Sequence, residues 1–292
     1  MITPSLEFIQ AYYDERVEEK IRDFTNANPR IEAAVELIAE WAPPVPARIL
    51  EIGCGIGATS WRMARAWPQA EVVGADVSHA SIEAAKTCFQ RTNLSYKDEL
   101  INEGVLEGKF DLVVLMDTYE HIALSDRAVL HATIKSLLSE DARLILTIPT
   151  PTALEYSRTV SPSDLQPVDE DVTPLDVLLL AKETDTRLLF YREVGIWQYG
   201  DYAHVVLGRY RTLSEVELRE LKPKGTTAAL KRFGKRVLGR TKAPSPRSRD
   251  YLGSDLLRPS PRDLHRRFKV TTRERKRIAS VLPQSKESKI GT

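Results

Sequence analysis

A glycine-rich stretch near the start of the chain constrains the fold more than any other feature. Residues 48–52 form a short, mostly apolar run. Gly53, Gly55 and Gly57 follow it, and a helix-like stretch over residues 58–66 comes next. Glycine permits a tight turn and lets the backbone come close to a ligand, because it has no Cβ. The free N–H groups at the start of the following helix attract negatively charged groups. The order of strand, glycine turn and helix therefore predicts a nucleotide-type cofactor site in an α/β fold.

Two classes of cofactor fit this glycine turn. The spacing Gly53-x-Gly55-x-x-Ala58 satisfies the fingerprint of dinucleotide-binding folds, which leaves an NAD(P)-dependent oxidoreductase as one alternative. Glu51, however, lies two residues before the first glycine, where a carboxylate repels a pyrophosphate but suits a cationic ligand. The spacing Glu51-x-Gly53-x-Gly55-x-Gly57 resembles motif I of the class I S-adenosylmethionine-dependent methyltransferases. The resemblance implies that these residues hold the methionine end of S-adenosylmethionine, whose amine and sulfonium are positive.

The same resemblance assigns further cofactor contacts to the ends of the next predicted strands. Asp76 lies in a short apolar strand over residues 70–78 and matches the acid that binds the ribose hydroxyls; a helix cap is the alternative role. Asp98 follows a weaker strand over residues 94–97, and it either accepts from the adenine amine or is a solvated loop acid. The other expected cofactor contacts are Cys54, Val77, Met116 and Asp117.

The segment after the fourth predicted strand supplies the first catalytic candidate. Residues 110–116 are almost continuously apolar, as in a strand buried on both faces, and an acidic segment over residues 117–121 follows. This segment resembles one that follows the fourth strand in many methyltransferases acting on small molecules. His121 is therefore a candidate general base, with a buried structural histidine as the alternative. Glu120 is a candidate for positioning the substrate, with a helix cap as the alternative.

Two strands near the end of the apolar region are predicted to pair as an antiparallel hairpin. They cover residues 187–197 and 202–210 and are joined by a turn over residues 198–201. The class I methyltransferase sheet closes with such a hairpin, so the expected fold is α/β, with a Rossmann-like doubly wound seven-stranded sheet. Because the last strand runs antiparallel, its start lies at the ligand-binding edge of the sheet. This places Tyr202 near the substrate and makes His204 a second candidate base.

The segments around this domain supply the remaining substrate candidates. Residues 9–24 have one apolar face and are predicted to form a single helix, within an N-terminal helical lid over residues 1–30. Tyr13 on that helix either contacts the substrate or packs in the core. The insertion after the fifth strand holds three further candidates, which otherwise belong to an acidic surface loop: Tyr156, Asp169 and Glu170.

The charge distribution separates the chain into two parts. Residues 1–221 contain 21 Lys and Arg against 36 Asp and Glu, whereas residues 222–292 contain 21 against 5. This asymmetry predicts a methyltransferase domain over residues 31–221, followed by a basic tail over residues 222–292. The tail is expected to be solvated and partly disordered, or to contact an anionic membrane surface, a phosphorylated substrate or the acidic main domain. Nucleic acid is a less favoured partner, because the tail has few aromatic residues for base stacking.

The cysteines and the N-terminus bear on the compartment. Cys54 and Cys88 form no CxxC or Cys/His cluster, so no metal site is predicted and a reducing compartment is favoured. The first residues lack a signal-peptide pattern, and no run approaches the roughly 20 apolar residues of a membrane span. These features predict a cytoplasmic protein, with a peripheral position on the inner face of a membrane as an extension of that prediction.

The sequence as a whole predicts methyl transfer from S-adenosylmethionine to a small polar acceptor, to oxygen rather than nitrogen. A sugar or lipid-linked glycan intermediate is one acceptor that the basic tail suggests. The alternatives are an RNA-directed methyltransferase or S-adenosylmethionine-binding protein that uses the tail, and the NAD(P)-dependent oxidoreductase.

Overall fold

The structure is a computed structural model that describes four stretches of the chain, which are residues 4–102, 104–198, 200–209 and 261–281. The described residues belong to one compact unit. The predicted boundary near Leu221 lies outside the described residues, so the domain limits stay predictions.

A single mixed sheet forms the centre of the described structure. Its strands are β1 (Arg48–Ile52), β2 (Glu71–Asp76), β3 (Leu94–Asp98), β4 (Phe110–Met116), β5 (Leu138–Pro149), β6 (Arg187–Val194) and β7 (Tyr202–Gly208). Their order across the sheet is β3-β2-β1-β4-β5-β7-β6. The first five strands run parallel, and β7 runs antiparallel to both of its neighbours. The predicted seven-stranded sheet and its closing hairpin are therefore confirmed.

Helices precede the sheet, connect its strands and follow it. They are α1 (Leu6–Asp14), α2 (Val17–Asn26), α3 (Pro29–Trp41), α4 (Ala58–Ala66), α5 (His79–Cys88), α6 (Leu124–Leu137), α7 (Pro151–Val160), α8 (Pro174–Glu183), α9 (Pro261–Phe268) and α10 (Thr272–Ala279). Side-chain caps fix several of their starts: Ser78 accepts from the backbone of α5, and Thr173 forms a capping box with Asp176 in α8. Within the described stretches, none of these helices has the length and apolar character that crossing a membrane requires.

The sheet is covered by helices on both faces because its strands are apolar on both faces. In β4, Val113 and Leu115 belong to one core, whereas Leu112 and Val114 belong to the other. Helices α6 and α8 contribute to the first core, and helices α3, α4 and α9 contribute to the second. This doubly wound arrangement places the carboxyl ends of β1, β2 and β4 next to one another at one edge of the sheet.

The predicted single helix over residues 9–24 is wrong, because the structure has two helices there. Helix α1 ends at Asp14 and α2 begins at Val17. Asp14 Oδ1 accepts hydrogen bonds from Ser78 Oγ at 2.7 Å and from Ala80 N at 3.0 Å, at the start of α5. This tertiary contact fixes the end of α1, and the periodicity of apolar residues does not signal it.

Part of the basic tail packs against the rest of the fold. Leu264 and Phe268 of α9 join the core between α3, α4 and the sheet, and the Phe268 ring lies 5.3 Å from that of Trp67. Val270 and Ile278, around α10, join a separate apolar cluster. Residues 261–279 are therefore a packed pair of helices, not a solvated segment.

The glycine turn gives a stability prediction that separates the cost of backbone strain from the cost of steric overlap. Gly57 has a φ of +78°, and a Cβ there would lie 2.5 Å from the Tyr96 ring, whereas Gly104 has a φ of +91° and no atom within 4 Å of such a Cβ. We expect Gly57→Ala to lower the free energy of unfolding by about 2–4 kcal/mol, since strain and overpacking add. Gly104→Ala should cost about 1–2 kcal/mol, from backbone conformation alone. Urea unfolding measures both, and equal costs would contradict the packing role of Gly57.

Candidate active site

A cavity of about 570 Å³ opens at the carboxyl ends of β1, β2 and β4. Its volume lies in the range of small-molecule binding sites. Ten of the residues predicted from the sequence line it: Tyr13, Glu51, Gly53, Cys54, Gly55, Asp76, Val77, Met116, Asp117 and His121. The fold therefore brings together residues that are far apart in the sequence.

The glycine turn forms one wall of the cavity. Gly53 and Gly55 have φ values of +73° and +51°, which favour glycine. The atoms nearest to a Cβ at Gly55 would belong to the Lys20 side chain, at 3.5 Å. Gly57 does not line the cavity, because it faces Tyr96. The first two glycines thus line the cavity, whereas the third packs against Tyr96.

Glu51 is a buried carboxylate at the base of this wall. It is 2% exposed, and its Oε2 accepts a hydrogen bond from Ser60 Oγ. Burial raises the pKa of Glu51 to about 8, although the bond from Ser60 opposes that rise. A cation bound beside Glu51 would favour its ionised form. The position therefore suits a positively charged ligand group.

Asp76 lines the cavity and also braces the glycine turn. Its Oδ2 accepts from Gly55 N at 2.6 Å, and its Oδ1 accepts from Ser78 N at 2.9 Å. Each oxygen keeps a further lone pair for a ligand hydroxyl. Asp98 is not brought to the cavity, because its Oδ2 lies 2.5 Å from His79 Nδ1. Residues 99–102 line the cavity in its place.

Asp117 is held by a partner that the sequence analysis missed. Arg30 Nη1 donates to Asp117 Oδ2, and Thr147 Oγ1 donates to Asp117 Oδ1 at 3.2 Å. Asp117 has a φ of +49°, so its backbone conformation depends on such contacts. Burial raises the pKa of Asp117, and the Arg30 guanidinium opposes that rise. Arg30 also lines the cavity, and no local pattern signals a pairing across 87 residues.

His121 lies in the cavity wall with one ring nitrogen already committed. Nδ1 lies 2.8 Å from the carbonyl oxygen of Val168 and 3.1 Å from Asp169 Oδ1, so Nδ1 carries the hydrogen. Nε2 lies 3.7 Å from Glu120 Oε1 and is the nitrogen that can take up a proton. Burial lowers the pKa of His121, but Glu120 and Asp169 outweigh it and raise the pKa above its usual value. Burial also raises the pKa of Glu120, to about 7.

The N-terminal helices contribute side chains to the cavity wall. Tyr13 of α1 donates from its hydroxyl to Gln166 Oε1 at 2.9 Å, and Lys20 Nζ of α2 donates to Ser81 Oγ at 3.3 Å. Tyr13, Lys20 and Gln166 all line the cavity. Sequence analysis missed Lys20 and Gln166, because their partners lie in distant parts of the chain.

Besides Gly57 and Asp98, six predicted residues are not among those that line the cavity, namely Glu120, Tyr156, Asp169, Glu170, Tyr202 and His204. Glu120 is buried beside His121, and its Oε2 has no hydrogen-bond partner among the described residues. Tyr156 is 44% exposed on α7, away from the cavity lining. Tyr202 is largely buried near Arg30. His204 lies opposite Thr147 in the sheet, and burial, with a smaller effect of Arg192, lowers its pKa to about 4.

The arrangement can hold a ligand and move a proton. One wall offers exposed backbone and the carboxylates Glu51 and Asp76, which suit a cationic, hydroxyl-bearing ligand. The opposite part offers His121 Nε2 as a proton acceptor. Of the two predicted bases, His121 is the one that the structure places in the cavity wall. Within the described ranges, no group of three or more His, Cys, Asp or Glu side chains is arranged to hold a metal ion.

Comparison with known proteins gives a family match over most of the chain. A family model described as a methyltransferase domain matches residues 13–221. The chain is 33% identical over 98 residues to the malonyl-[acyl-carrier protein] O-methyltransferase of Geobacter sulfurreducens, which covers 33% of this chain and 36% of the relative. It is 35% identical over 96 residues to a ubiquinone biosynthesis O-methyltransferase of Cereibacter sphaeroides, covering 31% of this chain and 38% of the relative. The chain thus matches little more than a third of the length of these relatives.

Solved structures share the fold at low sequence identity. Magnesium protoporphyrin IX methyltransferase from Synechocystis PCC 6803, solved with bound SAH, aligns with a TM-score of 0.55 at 17% identity, over 70% of this chain and 99% of that one. A TehB-like SAM-dependent methyltransferase from Corynebacterium glutamicum aligns with a TM-score of 0.51 at 20% identity, over 67% of this chain and 97% of that one. These likenesses show a common fold.

The pair formed by Arg30 and Asp117 gives a prediction for stability. We expect Arg30→Met to lower the free energy of unfolding by up to about 3–5 kcal/mol, because it leaves a largely buried carboxylate without its cationic partner. Adding Asp117→Asn should recover part of this loss, since asparagine tolerates the same backbone conformation without the charge. A double-mutant cycle by urea unfolding measures the coupling, and purely additive effects would refute it.

Proposed function

Because the chain belongs to the methyltransferase-domain family, we propose that this S-adenosylmethionine-dependent enzyme methylates an oxygen atom of a small polar acceptor. The observation that carries the proposal is the position of His121 in the cavity wall, with Nδ1 committed to Val168 and Nε2 able to accept a proton. An oxygen acceptor loses a proton when it is methylated, so a proton acceptor at this place has a use. Family membership sets aside the oxidoreductase alternative.

The residues at the glycine turn fit S-adenosylmethionine. Its amine and sulfonium are positive, and Glu51 is a buried acid that is hydrogen-bonded to Ser60 and has no cationic partner among the described residues. Gly53 and Gly55 would expose backbone to the methionine end, and Asp76 would accept from the ribose hydroxyls. Val77, Met116 and Cys54 would complete the cofactor contacts. When bound, the cofactor supplies an activated methyl group on its sulfonium.

The chain's own contribution to the chemistry is positioning and proton removal. His121 Nε2 would take the proton of the acceptor oxygen, and Asp169 and the Val168 carbonyl would hold the ring and stabilise the positive charge that forms. General base catalysis of this kind typically contributes about 10²–10⁴-fold to the rate. Tyr13 and Gln166 would close the same end of the cavity.

The class of acceptor is supported by the two named relatives, both of which are O-methyltransferases. Their matched segments cover a minority of each protein, so the acceptor itself is not transferred to this chain. A sugar or glycan acceptor, a membrane or RNA partner for the basic tail, and the cytoplasmic location stay predictions.

The carboxyl group of Glu51 should lose its proton to solvent when the cofactor binds. The carboxyl group has a pKa of about 8 in the free protein, so it is largely protonated at pH 7, and a bound cation favours its ionised form. We expect S-adenosylhomocysteine, which keeps the amine, to bind more tightly as the pH rises from 6 to 8, by up to about tenfold per pH unit.

Calorimetry at pH 7 in two buffers of different ionisation enthalpy measures this release, with NAD as the control ligand that should not bind. Glu51→Gln should abolish the release. Equal proton release by the wild type and the variant would rule out the role of Glu51, and binding of NAD alone would contradict the assigned cofactor.

The two candidate bases should differ in their effect on turnover. We expect His121→Gln to lower kcat by about 10²–10⁴-fold and His204→Gln to leave it within about threefold. The wild-type kcat should fall at acidic pH as the His121 ring becomes protonated, and this limb should vanish in His121→Gln. S-adenosylhomocysteine formation with a panel of hydroxyl and carboxyl acceptors is the assay. Near-normal turnover of His121→Gln would remove it as the base.

A further inference from the structure

A buried arginine in the basic tail contacts helix α2, which contributes to the cavity wall beside the glycine turn. Arg275 of α10 is 4% exposed, although its neighbours Lys276 and Arg277 are exposed. It does not line the cavity. Burying a guanidinium is costly unless its donors are satisfied, so the contacts of Arg275 indicate what it holds in place.

The first contact is with the end of α2. Arg275 Nη1 donates to the carbonyl oxygen of Phe24, and the guanidinium carbon lies 4.9 Å from the centroid of the Phe24 ring. Phe24 lies in the last turn of α2, where the helix dipole favours a positive charge, and its carbonyl oxygen also accepts from Ala27 N at 3.3 Å. Arg275 therefore caps α2 from a position 251 residues further along the chain.

The second contact links α10 to the helix that follows the glycine turn. Glu32 Oε1 of α3 accepts from Arg275 Nη2 at 2.8 Å and from Arg62 Nη2 of α4 at 2.7 Å. One carboxylate oxygen thus joins three helices. Further along, Arg65 of α4 donates from Nε to the carbonyl oxygen of Arg267 at 2.7 Å, which fixes the end of α9.

Helix α2 and the glycine turn share one apolar cluster with the tail. Phe24 packs there with Ile56 and Ala58 at the end of the turn and with Val270 and Ile278 of the tail. Phe24, Ile56 and Ala58 line the cavity, whereas the two tail residues do not. The tail therefore supports the cavity wall from behind.

We propose that Arg275 is a positioning residue for the cofactor site, which it serves by holding α2 against the glycine turn. Helix α2 also supplies Lys20 and Asp23 to the cavity wall, so a shift of α2 changes the wall directly. The inference rests on the cofactor assignment above, and it gives this part of the basic tail a role within the enzyme itself.

The test uses the full chain and a matched pair of variants. Arg275→Met keeps an apolar stem but removes both sets of hydrogen bonds, and Arg277→Met removes an exposed arginine from the same helix as the control. Calorimetric titration with S-adenosylhomocysteine measures the affinity, and hydrogen exchange of residues 17–26 without ligand measures the stability of α2. Arg275→Lys tests whether a positive charge alone restores affinity and exchange protection, because lysine keeps the charge and can donate to one of the two acceptors, the Phe24 carbonyl or Glu32.

We expect Arg275→Met to bind S-adenosylhomocysteine at least tenfold more weakly and to exchange faster in residues 17–26. Arg275→Lys should recover part of both losses, and Arg277→Met should stay within twofold of the wild type. Affinity within twofold of the wild type for Arg275→Met, or unchanged exchange in residues 17–26, would overturn the proposal.

A second variant covers the case in which Arg275→Met does not fold. Ile278→Ala shortens the packed side chain while leaving Arg275 in place, and it should change affinity and exchange in the same direction; no change in either would overturn the proposal. Failure of the wild type to bind S-adenosylhomocysteine would contradict the cofactor assignment instead, and the exchange comparison would still decide whether Arg275 holds α2.

Discussion

Hydrogen bonds between the glycine turn and the end of β2 fix the geometry on which the site depends. The carbonyl oxygen of Ala75 accepts from Gly53 N at 2.8 Å and from Cys54 N at 2.9 Å, and Asp76 accepts from Gly55 N. These bonds satisfy backbone donors that the tight turn would otherwise leave unpaired. They also tie the end of β1 to the end of β2, so the turn cannot move independently of the acid beside it. The strand order then brings the segment after β4 to the opposite side of β1, and the cavity forms between them.

The acids around the cavity fall into two kinds, according to whether the chain itself neutralises them. Asp117 has Arg30 as a partner, and together they hold a turn whose backbone conformation is unusual for a residue other than glycine. Glu51 is hydrogen-bonded to Ser60 but has no cationic partner among the described residues, and burial makes its ionised form costly. A cationic ligand supplies the missing partner for Glu51 but has nothing to add at Asp117. Asp117 therefore stabilises the fold, and Glu51 is available for binding a ligand, although both lie at the end of a buried parallel strand.

Most of the fold could be predicted from the sequence because its signals are local. The apolar run of β4 covers Phe110–Met116, as predicted, and the glycine turn and hairpin follow from residue types a few positions apart. The rest depends on contacts that no local pattern encodes. Asp14 ends a helix through a bond to another helix, and Arg30 and Arg275 find partners 87 and 251 residues away. His204 shows a further limit: the strand end predicts a position near the site, but His204 is not among the residues that line the cavity.

The surroundings of His121 favour its protonated form, whereas a general base must be unprotonated before the reaction. Asp169 and Glu120 raise its pKa, which favours the protonated ring, whereas proton removal needs Nε2 free. The balance changes when a positive ligand occupies the same cavity, because a nearby positive charge disfavours a second one. Glu120 has a pKa of about 7, and its Oε1 lies 3.7 Å from Nε2, so the two groups titrate as a coupled pair. A cationic cofactor would therefore shift this pair toward proton loss and leave Nε2 ready to accept the proton of the acceptor.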